Sequence, residues 1–590
     1  MKRVAYIFLA LTTALIYGQA PQGFGTFDSG KMWTFDNPPL AYFEKEYGFK
    51  PSQAWLDSIR QSALRFGNGC SASFISAEGL VMTNHHCARS YGTQVQKSGE
   101  NFNENGFLAQ SLKEERRVPG LHVDQLVMLE DVSQRIKQAL EPISDDRQAK
   151  FKDSLFKAIE KEYKQKWIAD SLEPSVVTFY RGAKYSVYGF KRFKDVRLVL
   201  MPELNLGFFG GDYDNFTYPR YALDFTFFRV YGKDGKPYRP KFYYKVNLKG
   251  AQENEPVFVV GNPGTTERLS TGSQLSFARE IAMPYRLMFI RNRIKSYKAY
   301  NEKAKSDSIN NIIFSFSNAD KALTGMLAAL NNASLMGRKS ALESHLQAYV
   351  FKNKLSKYTT LWDSIAANKT EIRKHYPHVF VYQPSDKNAK GIEFGKLLAE
   401  YLAKKRVHDT TALKTLVPVL TKYQVDHNVS LEASLIKNHL EEFEVVFGAK
   451  KYAELSGSFQ SSKVYDPSFV QQLKSKLEDT AYVKQAIDSD FLLKISADEY
   501  KLFTLHKAIY DKLTAKESKL NALMAQLQFE VFGGLVPPDA NFNLRIADGI
   551  VKSYDYNGTK APFQTTFYGL YDRYFSFGKQ DPWRLPKRWQ

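Results

Sequence analysis

Residues 67–87 of the chain, GNGCSASFISAEGLVMTNHHC, contain the local pattern that decides the fold of the N-terminal part. Two short runs of small and apolar residues are separated by Ala-Glu-Gly at residues 77–79, which is a turn signal. This pattern predicts a β-hairpin. We expect the hairpin to end on His85 and His86, next to Cys87.

The sequence that follows the hairpin changes character twice. Residues 108–170 have a helical pattern, in which Leu155, Ile159 and Tyr163 recur every four residues among charges, and this predicts a helical excursion on the surface. Residues 176–260 contain β-branched or aromatic runs separated by turn residues, which predict a barrel or sandwich of short strands. The runs are SVYGF, DVRLVLM, DFTFFRVY, FYYKVNL and EPVFVVG.

A long helical segment comes next. No proline occurs between Pro284 and Pro377, and apolar residues recur there at helical spacing. Residues 430–447 predict a further helix that ends at Gly448. Strand and turn signals return over residues 532–568, so the helical segment is predicted to be an insertion between β segments.

The length of the chain indicates how many packing units it forms, and the distribution of its charges indicates which partners are favoured. With 590 residues the chain exceeds the size of one hydrophobic core, which predicts at least two packing units. It carries 82 Lys and Arg against 62 Asp and Glu, a formal net charge of +20. The basic residues are scattered and interleaved with acids, as in residues 151–165. This distribution favours a basic solvated surface over a nucleic-acid or anionic-membrane interface.

Residues 1–20, MKRVAYIFLALTTALIYGQA, have two basic residues, a short apolar run and small residues at the end. They predict a secretory signal peptide, and no later stretch is long and uncharged enough to span a bilayer. Export makes a disulfide between the only two cysteines, Cys70 and Cys87, the favoured prediction. Two unpaired buried thiols are the alternative.

His85 and His86 are the first candidates for chemistry. A histidine beside a disulfide cysteine is held rigidly, as a general base requires. The pair could instead bind a metal, but neighbouring residues on a strand point to opposite faces, and no HExxH or CxxC motif completes a zinc site. An inert structural histidine is the third alternative. We expect neither a metal nor a cofactor.

The second candidate segment is GGDYDNFTYPRYALDF at residues 210–225. It contains three acidic residues, Asp212, Asp214 and Asp224. An Asp directly before an apolar strand is positioned to orient an imidazole, which suggests Asp224. The commoner role of such an Asp is to cap a turn.

Taken together, these motifs closely resemble the bacterial chymotrypsin-fold serine dipeptidyl peptidases of the dipeptidyl-peptidase 7 and 11 kind. The resemblance covers nearly the whole chain after the signal segment, and several separated motifs occur in the right order. The matching segments are TNHHC at 83–87, KDVRLV at 194–199, GGDYDN at 210–215, YPR at 218–220, DF at 224–225, VVGNPGTTERL at 259–269 and PPDANFNLRIADG at 537–549.

The resemblance implies roles for particular residues. His86 is implied as the general base and Asp224 as the residue that orients it, so the two should lie within hydrogen-bond reach while His85 points elsewhere. Asn215 and Phe216 match the family's asparagine and aromatic residue, usually Trp, that hold the free α-amine of the substrate, and Asn215 should line the same cleft.

The resemblance also implies a mixed β and α fold, a chymotrypsin-like double β-barrel with a large inserted α-helical cap domain. The expected domains are a signal peptide (1–20), the first β-barrel and start of the peptidase domain (21–272), the cap (273–530) and the start of a second barrel (531–590). Oligopeptides with a free N-terminus are the implied substrates, and a homodimer is the implied assembly. Nucleic acid and a membrane span are not expected, and the implied location is periplasmic or secreted.

One motif of the family has no counterpart in the 590 residues. The family's nucleophile lies in a GNSGS-like loop, whose backbone N–H groups also form the oxyanion hole. This chain has no such sequence and ends at Trp589 and Gln590 after strand-like sequence. The expectation is a second barrel that stops before the serine, and a chain that is inactive as given. The alternative is a non-catalytic secreted peptide-binding protein of the same fold.

Four serines near glycine were considered as replacements for the nucleophile. They match no nucleophile context, because each lies in a hairpin, at the start of the helical insertion or in a polar stretch of it. These serines are Ser71, Ser273, Ser456 and Ser458.

Overall fold

The computed structural model describes Phe27 and residues 30–143, 145–424, 429–448, 461–533 and 536–590. The predicted signal segment, residues 1–20, lies outside them. The chain divides into two compact units. Among the described residues, one unit lies within Gly25–Leu269 and Ala522–Gln590, and the other lies within Ser270–Asn521.

All strands of the described chain belong to the first unit, which we call the sheet unit. They are β1 Trp33–Thr34, β2 Ala63–Phe66, β3 Cys70–Phe74, β4 Leu80–Thr83, β5 Phe107–Leu108, β6 Arg116–Arg117, β7 Val123–Asp131, β8 Glu173–Phe179, β9 Lys184–Phe193, β10 Val196–Met201, β11 Thr226–Val230, β12 Pro256–Gly261, β13 Arg545–Ile550, β14 Tyr554–Tyr556 and β15 Thr559–Ala561.

Ten of these strands form one sheet in the order β5-β10-β11-β4-β3-β2-β7-β9-β8, with β6 also paired to β10. Every ladder in it is antiparallel. Within the described residues no ladder joins β5 to β8, so the sheet is not a closed barrel. The mixed α and β class is confirmed, whereas a closed double barrel is not found.

Alternation along the strands explains why this sheet forms. In β11, Thr226, Phe228 and Val230 are buried while the residues between them are half-buried. The buried side packs with Phe74 and Val81 of the predicted hairpin, which is present as β3 and β4. Side chains that alternate in this way face a common core on one side of a sheet.

The helices of the chain are α1 Leu40–Tyr47, α2 Gln53–Ser62, α3 His85–Gln94, α4 Phe102–Asn105, α5 Ser133–Leu140, α6 Asp145–Lys166, α7 Leu204–Gly207, α8 Gly211–Asp214, α9 Gly272–Phe277, α10 Met283–Ala304, α11 Asp307–Leu330, α12 Ala333–Lys352, α13 Leu361–Tyr382, α14 Lys390–Arg406, α15 Thr410–Lys422, α16 Val429–Phe447, α17 Pro467–Ser475, α18 Thr480–Ser489, α19 Phe491–Phe532 and α20 Phe567–Ser576. No described helix is both long and apolar enough to cross a membrane.

Residues 108–170 differ from the predicted surface helical excursion. They include the nine-residue strand β7, which pairs with β2 and β9. The helix α6 that follows buries Ile159 and Tyr163 against Val187 of β9. The segment VDQLVMLED does not alternate between apolar and polar residues, so it lacks the period-2 signal of a half-buried strand.

Three further strands form a small antiparallel sheet in the order β1-β13-β12. The run FYYKVNL at residues 242–248, predicted to be a strand, has no regular structure. The sequence before Trp589, predicted to be strand-like, instead contains helix α20, whose Leu570 and Tyr574 pack against Phe209. Aromatic residues have strand propensity, but here their spacing buries one face of a helix.

The second unit is helical, as the sequence predicted for this region. Its core is built from apolar residues of α10, α11 and α14–α19, among them Phe394, Leu398 and Leu492. The predicted helix at residues 430–447 is confirmed as α16, and Gly448 follows it with a φ of 67°. Glycine adopts this left-handed conformation without the steric cost that other residues incur.

Candidate functional site: a histidine and aspartate pair at a helix start

His86 lies in the first turn of α3, immediately after the hairpin. The prediction that the hairpin ends on His85 and His86 is therefore wrong, because β4 stops at Thr83 and the helix begins at His85. Asn84 precedes the helix, but its side chain makes no capping hydrogen bond; its Nδ2 donates instead to the backbone O of Asp224 over 3.1 Å.

Asp224 contacts His86 through both of its carboxylate oxygens. Nδ1 of His86 lies 2.8 Å from Oδ2, and the backbone N–H of His86 donates to Oδ1 over 3.0 Å. Asp224 thus accepts one of the N–H groups that the start of a helix leaves without a helical partner. A negative charge is also favourable at this end of a helix. The predicted contact between the two residues is present.

The hydrogen bond to Asp224 determines which nitrogen of His86 can act as a base. An ionised carboxylate only accepts hydrogen bonds, so Nδ1 carries the proton and, in the neutral imidazole, Nε2 has the free lone pair. The side chain of His86 is 51% exposed. No described residue forms a hydrogen bond with Nε2, which leaves this atom accessible to a reacting group.

The side chain of Asp224 is mostly shielded from solvent, and its carboxyl stays ionised. Burial alone would raise the pKa of its carboxyl. The hydrogen bonds from the imidazole and backbone N–H of His86, together with the nearby charge of Arg220, outweigh burial and hold the pKa below its usual range. An ionised Asp224 can stabilise an imidazolium when His86 takes up a proton.

His85 has a different environment from its neighbour. It is buried, and its Nε2–H donates to the backbone O of Pro202 over 3.1 Å. A methyl group on Gly207 would lie 2.4 Å from the His85 ring, so the ring packs directly on the backbone of α7. Burial lowers the pKa of His85 to about 4, which keeps this imidazole neutral at neutral pH. As expected, His85 does not join His86 in the contact with Asp224.

A disulfide joins Cys70 of β3 to Cys87 of α3, with their Cα atoms 6.3 Å apart. Both sulfurs and a ring nitrogen of His86 lie within 4.8 Å of one another. Metal binding by cysteine requires thiolates, and these two sulfurs are bonded to each other. The disulfide therefore ties the first turn of α3 to the sheet beside His86.

Asn215 and Phe216 follow the short helix α8. Asn215 is the residue at the C-terminal end of that helix, and Phe216 has a φ of 60° and a side chain that is exposed. A positive φ is costly for an aromatic residue, so the surrounding structure must hold this turn. The role of both residues in binding an amine stays a prediction.

Two arginines near Asp224 were missed by the sequence reasoning. Nη2 of Arg220 lies 3.7 Å from Oδ2 of Asp224. Arg89 interacts electrostatically with Asp224 and Asp212, and its burial lowers its pKa to about 10. Two signals could have revealed them: Arg89 lies about one helical turn after His86, and Arg220 four residues before Asp224.

Of the four candidate serines, the two that lie in the described residues, Ser71 and Ser273, form no hydrogen bond with His86. Oγ of Ser71 accepts a hydrogen bond from the backbone N–H of Asn262 over 2.7 Å. Oγ of Ser273 lies 3.1 Å from Oγ1 of Thr271, beside the start of α9. Ser456 and Ser458 lie outside the described residues.

Comparison with known proteins places this chain in a family. A curated Asp/Glu-specific dipeptidyl-peptidase of Capnocytophaga gingivalis is 27% identical over 635 residues, which cover 97% of this chain and 84% of that protein. A dipeptidyl-peptidase 7 of Porphyromonas gingivalis is 27% identical over 574 residues, covering 89% of this chain and 76% of that protein.

Solved structures share the fold. The crystal structure of Porphyromonas endodontalis DPP11 in complex with the dipeptide Arg-Glu matches with a TM-score of 0.77 and 20% sequence identity, covering 95% of this chain and 85% of that one. The family model described as Peptidase S46 matches residues 27–590. A match of this extent, together with the order of the motifs and the His86–Asp224 contact, shows that the chain belongs to the peptidase S46 family.

Proposed function

We propose that this chain has the architecture of a secreted serine-type dipeptidyl aminopeptidase, an enzyme that releases dipeptides from the free N-termini of peptides. The observation that carries the proposal is the pair of contacts between His86 and Asp224, because the carboxylate fixes the ring and the protonation state of one nitrogen. Curated relatives that match most of the chain are named as dipeptidyl-peptidases, which supports the reaction class.

In this proposal His86 acts as the general base. Nε2 takes the proton of a serine hydroxyl as that oxygen attacks the scissile carbonyl, and later gives it to the leaving amine. Asp224 stabilises the imidazolium formed between these two steps, while its bond to the backbone N–H of His86 keeps the carboxylate in place. Oxyanion stabilisation has to come from backbone N–H groups beside the serine.

Asn215 and Phe216 are proposed to hold the α-amine of the substrate. An amide oxygen and a backbone carbonyl are suitable acceptors for an ammonium group. Asn215 lies between α8 and the loop that leads to Asp224, so one continuous segment contains both proposed functions. A substrate amine anchored there limits how much peptide can lie between the N-terminus and the scissile bond.

The 590 residues alone are proposed to give no turnover. They contain no GNSGS-like loop, and no described serine forms a hydrogen bond with Nε2 of His86. The same observation supports a second candidate, a peptide-binding protein of the same fold without catalysis. Both candidates require the free substrate amine to be recognised, but only the first requires His86.

The proposal also includes the fold and location that the resemblance implies. The ten-stranded sheet is proposed to correspond to the first chymotrypsin-like barrel, and the small β1-β13-β12 sheet to part of the second. Export is supported by the signal-like sequence of residues 1–20 and by the disulfide between Cys70 and Cys87. N-terminal sequencing of the exported protein should begin at Pro21.

Turnover tests the proposal directly. We expect the chain by itself to release no dipeptide, and a chimera with the GNSGS-containing segment of a family member joined after Gln590 to release dipeptides. The chimera should reject the same peptide when its N-terminus is acetylated, and His86→Ala should abolish release. If His86→Ala leaves turnover unchanged, His86 is not the base.

Binding separates the two candidates. The purified chain should bind a peptide with a free N-terminus more tightly than its acetylated form, as measured by calorimetry, and Asn215→Ala should remove the difference. A chain that binds in this way, but whose chimera never turns over, is the peptide-binding protein. Equal affinity for both peptides contradicts the proposed amine site.

A further inference from the structure

The Asp224 carboxylate needs a nearby positive charge, and a neutral His86 does not supply one. The side chain of Asp224 is only 11% exposed, and a buried carboxylate needs a compensating positive charge to remain ionised. As a general base, His86 is neutral before it reacts. Its imidazole then donates a hydrogen bond but supplies no positive charge, so the charge must come from another residue.

Arg220 lies where such a charge is needed. Its Nη2 is 3.7 Å from Oδ2 of Asp224, the oxygen that also accepts from the His86 ring. The side chain of Arg220 is 27% exposed, and its Nε is buried without a hydrogen-bond partner among the described residues. An arginine that buries one N–H group without a partner loses free energy there, which its charge interaction with Asp224 offsets.

The other ionisable groups around Asp224 do not replace Arg220. Arg89, from α3, interacts with both Asp224 and Asp212, so its charge is shared between two carboxylates. His85, also from α3, is neutral because it is buried. With His86 neutral, Arg89 and Arg220 therefore balance Asp212 and Asp224.

We propose that Arg220 is a positioning residue, whose guanidinium supplies the positive charge that balances the Asp224 carboxylate while the His86 imidazole is neutral. This inference rests on the proposed function because it concerns the same residue pair, and it assigns a role to the YPR segment at residues 218–220. Arg220 acts through Asp224, and no direct contact with a substrate is required of it.

The charge of Arg220 should affect the pH range over which Asp224 stays ionised in its contact with His86. The pKa of Asp224 is below its usual range, and the charge of Arg220 is one of the causes. Removing that charge should raise the pKa of Asp224. The carboxylate would then take up a proton at a higher pH, and a protonated Asp224 no longer stabilises an imidazolium. Arg220 thus extends the assembled pair toward acidic pH.

The test follows the carboxyl group itself and needs no turnover. The full chain is labelled with ¹³C at the aspartate carboxyl carbons, the Asp224 signal is assigned with Asp224→Asn, and the signal is titrated by NMR. Arg220→Gln should shift the Asp224 midpoint upward. Arg220→Lys keeps the positive charge, so the Asp224 midpoint in this variant should lie close to that of the wild type. An unchanged midpoint in Arg220→Gln overturns the proposal.

One control variant and one fallback measurement make the result specific. Arg197→Gln is the matched control, since Arg197 is also partly exposed and paired with an aspartate, Asp195, over 2.9 Å; it should leave the Asp224 midpoint in place. If Arg220→Gln does not fold, Arg220→Lys decides the matter, because an upward shift despite the retained charge overturns the proposal. If the chain shows the expected shifts but its chimera with a GNSGS-containing segment releases no dipeptide, the proposed function is contradicted and the role of Arg220 is not.

Discussion

Thr83 of β4 and Thr226 of β11 are direct partners across an antiparallel ladder. The chain leaves β4 at Thr83 and starts α3 two residues later, and Asp224 lies two residues before Thr226. This pairing therefore brings the first turn of α3 alongside Asp224, although 138 residues separate His86 from Asp224. The contact depends on a strand register rather than on a local motif.

Replacing Asp224 by Asn should strongly reduce turnover in the chimera that carries a GNSGS-containing segment. The neutral amide no longer fixes the tautomer of His86 or stabilises an imidazolium, and the equivalent change in a catalytic triad lowers kcat by about 10⁴-fold. The measurement is kcat on a peptide with a free N-terminus. Asp234→Asn, in an exposed turn, is the control, and equal kcat values for the two variants contradict the role of Asp224.

The disulfide should contribute strongly to the stability of the sheet unit. It closes a loop with a sequence separation of 17, for which the chain-entropy estimate gives about 3 kcal/mol. A Cys70→Ser, Cys87→Ser double variant should lower the free energy of unfolding in urea by that order. A reducing agent should weaken the wild type to the same level and leave the variant unchanged. A wild type that is insensitive to reduction contradicts this expectation.

Gly207→Ala should be destabilising because of the His85 ring. The added methyl group would lie 2.4 Å from a buried side chain that has no room to move, and overpacking of this kind costs about 1–3 kcal/mol. Gly325→Ala is the matched control in α11. No atom lies within 4 Å of its added methyl group, so that variant should be neutral or slightly stabilising. Thermal unfolding of both variants provides the comparison.

Glu499 should be essential to the core of the helical unit. Its Oε1 accepts a hydrogen bond from Nε2 of His439 over 2.7 Å, and its Oε2 lies 3.3 Å from Nζ of Lys396, with all three side chains buried. Glu499→Gln breaks a buried ion pair with Lys396, a change that typically costs about 3–5 kcal/mol. Oε1 of Glu393 lies 3.6 Å from Nζ of Lys396 and remains as a second counter-charge, so the cost should fall toward the lower end of this range. The exposed Glu302→Gln should change the free energy of unfolding far less.

The ionisation of Glu499 should make the free energy of unfolding depend on pH. Burial would raise the pKa of Glu499, but the charges and hydrogen bonds of His439 and Lys396 hold it below its usual range. A lowered folded-state pKa contributes stability that is fully present above the unfolded value and is lost as pH falls through the folded value. The wild type should therefore lose this stability as the pH falls below the ordinary pKa of a glutamate, which is about 4.3, and the loss is measured by unfolding across pH. Glu499→Gln should lack this part of the acid loss.

The parts that could be predicted from sequence share a local signal. The helix at residues 430–447 has a regular apolar repeat and a glycine at its end, and the cysteines flank a recognisable hairpin. The start of α3 could not be placed, because Asn84 precedes a short helix without capping it through its side chain. Its capping carboxylate comes from a distant segment, which no local pattern reveals.

Long-range packing explains the remaining differences. The run FYYKVNL has strand composition, but a strand requires a ladder of backbone hydrogen bonds. The backbone N–H of Tyr244 donates to the O of Phe74 over 2.9 Å, and no ladder of described residues includes 242–248. Arg220 was passed over because an arginine in a loop carries no periodic signal. Its position beside Asp224 becomes apparent only when β11 is placed next to β4.

The contact between the backbone N–H of His86 and Asp224 also has a consequence for the newly made chain. Synthesis proceeds from the N-terminus, so α3 leaves the ribosome long before residue 224 has been added. Until then the helix lacks its cap and the imidazole lacks the carboxylate that orients it. A nascent chain consequently carries no oriented base, and the pair forms only once the sheet that surrounds it has assembled.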